Sequence, residues 1–196
     1  MKFEDHCRKY LLKYVLFEEK KCFVAGGFFP RFYHNLPIRD IDIYVNDHEY
    51  FQTLENLYKE LGYKQTRQLH LFSSFSKQGS PNIDLIAFHN PLNSNFVSTF
   101  DFTICQGWID EFDHNIPTKD IVEKKLIFNQ AANFNITSSD YGKMNNTLTR
   151  LVKYVKLGFD IDNEQLSLIH QALVLYSPSG TERNKHKGLV NNPYAP

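Results

Sequence analysis

Two aspartates one residue apart, Asp40 and Asp42 in "IRDIDIYV", interrupt an apolar run. Ile38, Asp40, Asp42 and Tyr44 alternate with Arg39, Ile41, Ile43 and Val45 at the period of a β-strand, which sends both carboxylates to one face. Held in parallel they repel each other unless something positive lies between them. A divalent cation meets that need, and Mg2+ favours carboxylate and phosphate oxygens while keeping water in its shell. A third carboxylate on a neighbouring strand would complete such a site. Asp84 in "NIDLIAF", flanked by Ile83 and Leu85, has the setting of a strand centre. Upstream, the apolar run from Phe23 ends in Gly26 and Gly27, a pair that lets a backbone turn approach closely enough for its N–H groups to meet a phosphate. Taken singly, an Asp-x-Asp also fits an edge strand with solvated charges, and a Gly pair a plain turn. In this order, with strand-like flanks, they point to metal-assisted chemistry on phosphates.

The surrounding pattern predicts an α/β (α+β) architecture: a mixed sheet with flanking helices and a small C-terminal helical part. Phe3, Cys7, Tyr10, Leu11, Tyr14 and Val15 recur at helical spacing, so an amphipathic helix over Phe3 to Phe17 leads into a strand over Cys22 to Ala25. The second strand and then "NDHEYFQTLENLYKELG", a helix capped by Asn46 or Asp47 and closed by Gly62, give a strand, strand, helix order. "LHLFSSFS" and "NIDLIAFHN" read as strands joined by a turn at "KQGSP". "FDFTICQGWI" is strand-like or mixed, and "TKDIVEKKL" opens a short helix with Thr118 as its cap. From Ser138 the pattern turns helical as far as Gly158, then again behind Asp162, and "SPSGTERNKHKGLVNNPYAP" reads as a loose tail. The division expected is a catalytic domain over 1–130, a helical segment over 131–176 and a tail over 177–196.

Composition excludes several classes. The chain has 196 residues with 17 Phe and 11 Tyr, enough for one substantial core, and no apolar run long enough to span a bilayer. Its first residues mix acids and bases without an apolar core, unlike a secretory signal, so a soluble cytoplasmic protein is expected. Cys7, Cys22 and Cys105 form no disulfide framework or CxxC pair and read as buried thiols. A net charge of zero leaves any polyanion to a local patch, for which the basic stretch Lys119 to Lys156 is the candidate, against the alternative of a solvated helix face. His34, His70 and His89 read as ordinary surface residues, and Trp108, Tyr154 and Phe159 as core rather than base-stacking groups.

The order Gly-Gly, spacer, Asp-hydrophobic-Asp, later strand Asp resembles the nucleotidyltransferase superfamily with the polymerase-beta-like fold, and more narrowly the head domain of bacterial poly(A) polymerases and CCA-adding enzymes. In "GGFFPRF" Arg31 stands one place later than the family arginine, and Phe32 takes the place of its aspartate. "TFDFTICQ" is similar to the family's Arg-Arg-Asp-Phe-Thr-Ile-Asn motif at Asp101, Phe102, Thr103 and Ile104, with Thr99 and Phe100 in place of the arginines. "KDIVEKKLI" and "KYVKLGFDID" are similar to two later motifs. The base-reading Glu-Asp-x-x-Arg element has no acidic pair in "GKMNNTLTR", so the choice between CTP and ATP does not carry over.

The resemblance implies transfer of a nucleoside monophosphate from an NTP to a hydroxyl, at an RNA 3′ end with tRNA among the candidates. Two Mg2+ ions would sit on Asp40, Asp42 and Asp84: the Asp pair on the ion bridging the triphosphate, Asp84 on the ion at the acceptor hydroxyl. Gly26 and Gly27 would cradle the β and γ phosphates, with Arg31 or Arg39 as cationic help, and Asp101 and Arg150 would lie on the nucleotide side. The alternatives are a catalytically silent nucleotide- or RNA-binding module, and a toxin- or antitoxin-type transferase that modifies tRNA or a protein hydroxyl.

Overall fold

The computed structural model describes residues 2–18, 21–87, 94–129 and 141–175. The expected tail over 177–196, His89, and part of the stretch from Ser138 lie outside the described residues. In chain order the elements are α1 (Phe3–Leu11), β1 (Cys22–Ala25), α2 (Phe28–Tyr33), β2 (Asp40–Val45), α3 (His48–Glu60), β3 (Lys64–Leu69), β4 (Phe72–Ser76), β5 (Asn82–Ala87), α4 (Ser94–Val97), a 3-10 turn (Thr103–Cys105), β6 (Trp108–Ile109), β7 (His114–Asn115), α5 (Thr118–Val122), α6 (Tyr141–Lys156) and α7 (Asn163–Leu175). The strands form one seven-stranded mixed sheet in the order β3-β4-β5-β2-β1-β6-β7. Among the described strand pairs only β2 with β5 is parallel, and the crossover between them carries α3 and the β3–β4 hairpin.

Alternation on β2 divides the sheet's faces. Ile41 and Ile43 are fully buried, with Val24 on β1 and Ile83 and Leu85 on β5, in a core that includes Cys7 and Leu11 of α1, Phe28 and Phe29 of α2, and Leu54 and Tyr58 of α3. The first three helices therefore cover the face opposite Asp40 and Asp42. Tyr154 of α6 and Ile169 and Ala172 of α7 belong to the same core. All three cysteines are buried and free. Among the described residues no helix is long and apolar enough to cross a membrane.

Four local expectations need correction. A short helix, α2, stands between the first two strands: Phe28 and Phe29 are drawn into the core, and Pro30 falls in the first turn, where a missing N–H costs nothing. β3 is an additional strand, unreadable from "KQTRQL" because this largely exposed edge strand is polar from Lys64 to Gln68 and shows no apolar alternation. α1 ends at Leu11 instead of Phe17, tightening through i−3 bonds from Lys13 N to Tyr10 O and from Tyr14 N to Leu11 O, while Val15 still reaches the core. Pro117 occupies the cap position of α5, with Thr118 as the first helical residue. Other caps fall where expected: Asp47 Oδ1 accepts from Tyr50 N at 2.7 Å, Asp162 Oδ1 accepts from Gln165 N at 2.8 Å, and Gly62 closes α3 at φ +80°.

Ile43 is wedged between β1 and β5 in the middle of this core, so Ile43→Ala is expected to cost about 2–5 kcal/mol, measured as a shift of the urea midpoint at constant slope.

Candidate active site

Strand register carries the candidate carboxylates to one place. Asp42 pairs with Asp84 across the parallel β2–β5 ladder, and Ala25 faces Asp42 from β1. Beyond Asp84 lies Ser74 of β4 and then Arg67 of β3, and beyond Ala25 lies Trp108 of β6. Residues directly opposed across strands share a face, so Arg67, Ser74, Asp84, Asp42, Ala25 and Trp108 form a row across the sheet. Asp40, two positions back along β2, is on the same face.

The glycine turn comes up beside that row. Gly26 follows β1 at φ +94°, a conformation that a side chain opposes, and its N–H donates to Gly107 O at 3.2 Å. A Cβ at Gly26 would stand 3.1 Å from Asp42 Oδ2, and one at Gly27 3.0 Å from the Tyr154 hydroxyl. The turn thus passes against the Asp42 carboxylate because neither position carries a side chain.

Electrostatics at the row are those of acids without enough counter-charge. Burial, then the neighbouring Asp40 and Asp84 carboxylates, push Asp42 up to about 7, against the opposing pull of Lys153 and Arg150 on α6. Asp42 keeps some solvent contact at its edge, yet protein crowds its carboxyl group. Asp84 is also raised, mainly by burial; a hydrogen bond of 2.5 Å from Ser74 Oγ to its Oδ1, and the charge of Arg67, work the other way.

Asp101 plays a part in holding α6. It is 6 % exposed, and its Oδ2 accepts from Arg150 Nε and from Thr147 Oγ1, both at 2.9 Å. Arg150 and Lys153, three residues apart, share one side of the helix, so the Asp101 contact fixes the helix that brings both charges to bear on Asp42. The structure thus gathers Asp40, Asp42, Asp84, Gly26 and Gly27, with Asp101 and Arg150 linked nearby.

It does not bring Arg31 there. Arg31 is 3 % exposed within α2, and its Nη1 donates to Pro37 O at 2.8 Å, so its guanidinium is committed to the core rather than open to a triphosphate. Arg39 is exposed just before β2, where the pleat turns it away from Asp40. His34 Nε2 donates to Ile121 O at 2.7 Å and meets Phe159 edge-on, a structural role, and His70 is exposed in the β3–β4 turn. Tyr154 and Phe159 are core, and Trp108 packs with Phe23, Tyr44 and Phe100 in a small aromatic cluster on the carboxylate face.

Ser74, Thr147 and Lys153 were not picked out as site residues by sequence. Lys153 stood unmarked within a basic stretch, and Ser74 and Thr147 acquire meaning only from register and tertiary contact. The donor set suits a hard divalent ion: all oxygen, acidic, and mutually repelling. Among the described residues no three His, Cys, Asp or Glu side chains are gathered closely enough to cage an ion by themselves. Mg2+ bound through one or two carboxylates, with phosphate and water supplying the rest, requires no such cage.

Comparison with known proteins bears on both fold and family. A family model described as Gabija anti-defense 2 family protein matches residues 1–132. Among solved structures, the CCA-adding enzyme of Thermotoga maritima complexed with tRNA superposes with a TM-score of 0.58 at 19% identity, covering 79% of this chain and 38% of that one. A tRNA-processing enzyme with CTP gives 0.58 at 15% identity, covering 95% and 51%. A tRNA nucleotidyltransferase with a primer tRNA and an ATP analogue gives 0.55 at 16% identity, covering 79% and 47%. The chain spans about half the length of these structures or less, and the likeness shows a nucleotidyltransferase fold. No curated protein matches the sequence.

The raised Asp42 carboxyl makes a testable demand on stability. A group whose folded-state pKa lies above its unfolded value stabilises the fold below the unfolded value and loses that contribution as pH rises through the folded one, here about 7. In EDTA at pH 8, Asp42→Asn should therefore melt higher than wild type, by about 2–4 °C for each kcal/mol of charge burial and repulsion relieved, and the gap should close by pH 5. Equal melting temperatures at both pH values would show that the carboxylates do not strain one another.

Proposed function

The chain belongs to the Gabija anti-defense 2 family, and from that footing we propose that it is a metal-dependent nucleotidyltransferase that moves a nucleoside monophosphate from an NTP onto the hydroxyl of an RNA 3′ end. The observation that carries the proposal is the apposition of Asp42 with Asp84 and of the Gly26 turn with Asp42, with Asp40 on the same face of the sheet. The family match covers residues 1–132, which include all three aspartates and the glycine pair.

Asp40 and Asp42 would hold the ion shared with the triphosphate, and Asp84 would share in holding a second. Bound divalent ions would supply charge stabilisation for the attacking and departing oxygens of an in-line displacement. The protein's own groups do the rest. Ser74 holds Asp84 Oδ1 and so restrains the carboxylate, which would take the proton of the acceptor hydroxyl. The Gly26 N–H is committed to Gly107 O, so of the Gly26–Gly27 pair it is the Gly27 N–H that would meet a β or γ phosphate, with Gly26 allowing the close approach. The new bond joins the acceptor oxygen to the α phosphorus, the bond to the bridging oxygen breaks, and pyrophosphate leaves. Arg150, held by Asp101, and Lys153 provide positive charge on the nucleotide side.

The family's name, tied to counteracting a defence, favours a second reading in which the acceptor is a hydroxyl of a protein or tRNA belonging to that defence. Incubation with each labelled NTP and Mg2+, with RNA, with a candidate defence protein or alone, separates the two by the size of the labelled band. Asp40→Asn, Asp42→Asn and Asp84→Asn should each lower transfer on the order of 10²-fold or more, and EDTA should abolish it. Undiminished transfer by Asp42→Asn would refute the assignment, and nucleotide binding without transfer would make the protein a silent module.

A further inference from the structure

On the far side of the sheet from the carboxylates, α1 and α2 leave a cleft of about 480 Å³. Its lining includes Phe3, Tyr10, Phe32, Tyr33, Lys9 and Lys13, and no carboxylate. The rings lie in a connected array, with centroids 5.2 Å apart for Phe3 and Tyr33, 6.0 Å for Phe3 and Phe32, and 5.1 Å for Tyr10 and Phe32. They line the cleft without being buried: Tyr33 is 37% exposed, and Phe3, Tyr10 and Phe32 are all part-exposed. Lys13 Nζ stands 5.6 Å from the Tyr10 ring centroid, and Lys9 is exposed on the same rim. The acids of α1 are elsewhere: Glu4 is turned to His114 at 3.8 Å, and Asp5 does not line the cleft.

We infer that this cleft is a binding site for single-stranded nucleic acid, separate from the carboxylate face. Sequence-tolerant recognition of a single strand needs aromatic faces on which unpaired bases stack, with cations alongside for the backbone phosphates, and the cleft combines the two in a chain whose net charge is zero. A duplex, whose bases are already stacked inside, would gain nothing from the rings. An acidic peptide would use the lysines but leave the aromatic array idle. Since the cleft is walled off from Asp40, Asp42 and Asp84 by the sheet and its core, binding here requires neither Mg2+ nor the carboxylates.

Fluorescence anisotropy of the full chain with a labelled 12-nucleotide oligo(U), an oligo(dT) and a duplex of the same length, all in EDTA, tests this. Both single strands should bind in preference to the duplex. Tyr33→Ala should weaken that binding about 5-fold or more, and Lys9→Ala with Lys13→Ala should reduce the slope of log affinity against log salt by about 1.4. Both variants alter exposed side chains, and a melting curve identical to wild type certifies their folding. Asp42→Asn should bind as wild type does, so failure of transfer and failure of this site are separable. Unchanged affinity and salt slope in both variants, equal binding of the duplex, or equal competition by poly-glutamate would overturn the inference.

Discussion

Parallel pairing of β2 with β5 sets Asp42 directly against Asp84, and the rest of the molecule answers to the cost of that apposition. Two strands whose opposite faces are saturated with Ile41, Ile43, Ile83 and Leu85 cannot slip register by one residue without turning those side chains to solvent and the carboxylates into the core. The hydrophobic face therefore holds the acids together despite their repulsion. A strained arrangement of this kind persists only where the surrounding structure determines it from several sides, and here α1, α2 and α3 do so from the apolar side.

Compensation on the acidic face is partial and comes from distant sequence. Ser74 holds Asp84 from the adjacent strand, while Arg150 and Lys153 come from α6, which buried Asp101 anchors through an ion pair with the half-exposed Arg150 and a hydrogen bond from Thr147. With both Thr147 and Arg150 of α6 bonded to its Oδ2, Asp101 is a positioning residue for the helix before any contact with substrate is considered. Burial first, and then the Asp40 and Asp84 charges, keep the Asp42 carboxyl raised, and a divalent ion would supply the positive charge that this face lacks.

Much of this was legible in the sequence wherever one residue's character fixes its surroundings. The period-two alternation around Asp40 and Asp42 gave the strand and its faces, Asp47 and Asp162 marked helix starts, and Asp84 stood out as an acid inside an apolar run. Features that depend on pairing were hidden. "KQTRQL" becomes a strand only because "FSSFS" lies beside it, and Ser74 becomes a partner of Asp84 only through that hairpin's register. Arg31 misled because its spacing from the glycine pair resembled a phosphate-binding arginine, whereas the helix formed by its neighbours turns it inward. The polymerase-beta-like architecture itself was readable from motif order, and the Gabija anti-defense 2 membership was not, since nothing in the chemistry of the residues names an opponent.

Metal and nucleotide are expected to meet at the row formed by Asp40, Asp42 and Asp84. Crystals of the protein soaked with Mn2+ and a non-hydrolysable NTP analogue, measured at the manganese absorption edge, address that directly. Anomalous peaks within about 2.0–2.4 Å of oxygens of these three aspartates, with the triphosphate running toward the Gly26 turn, are the result expected. Manganese bound elsewhere, or a nucleotide seated away from this face, would contradict it.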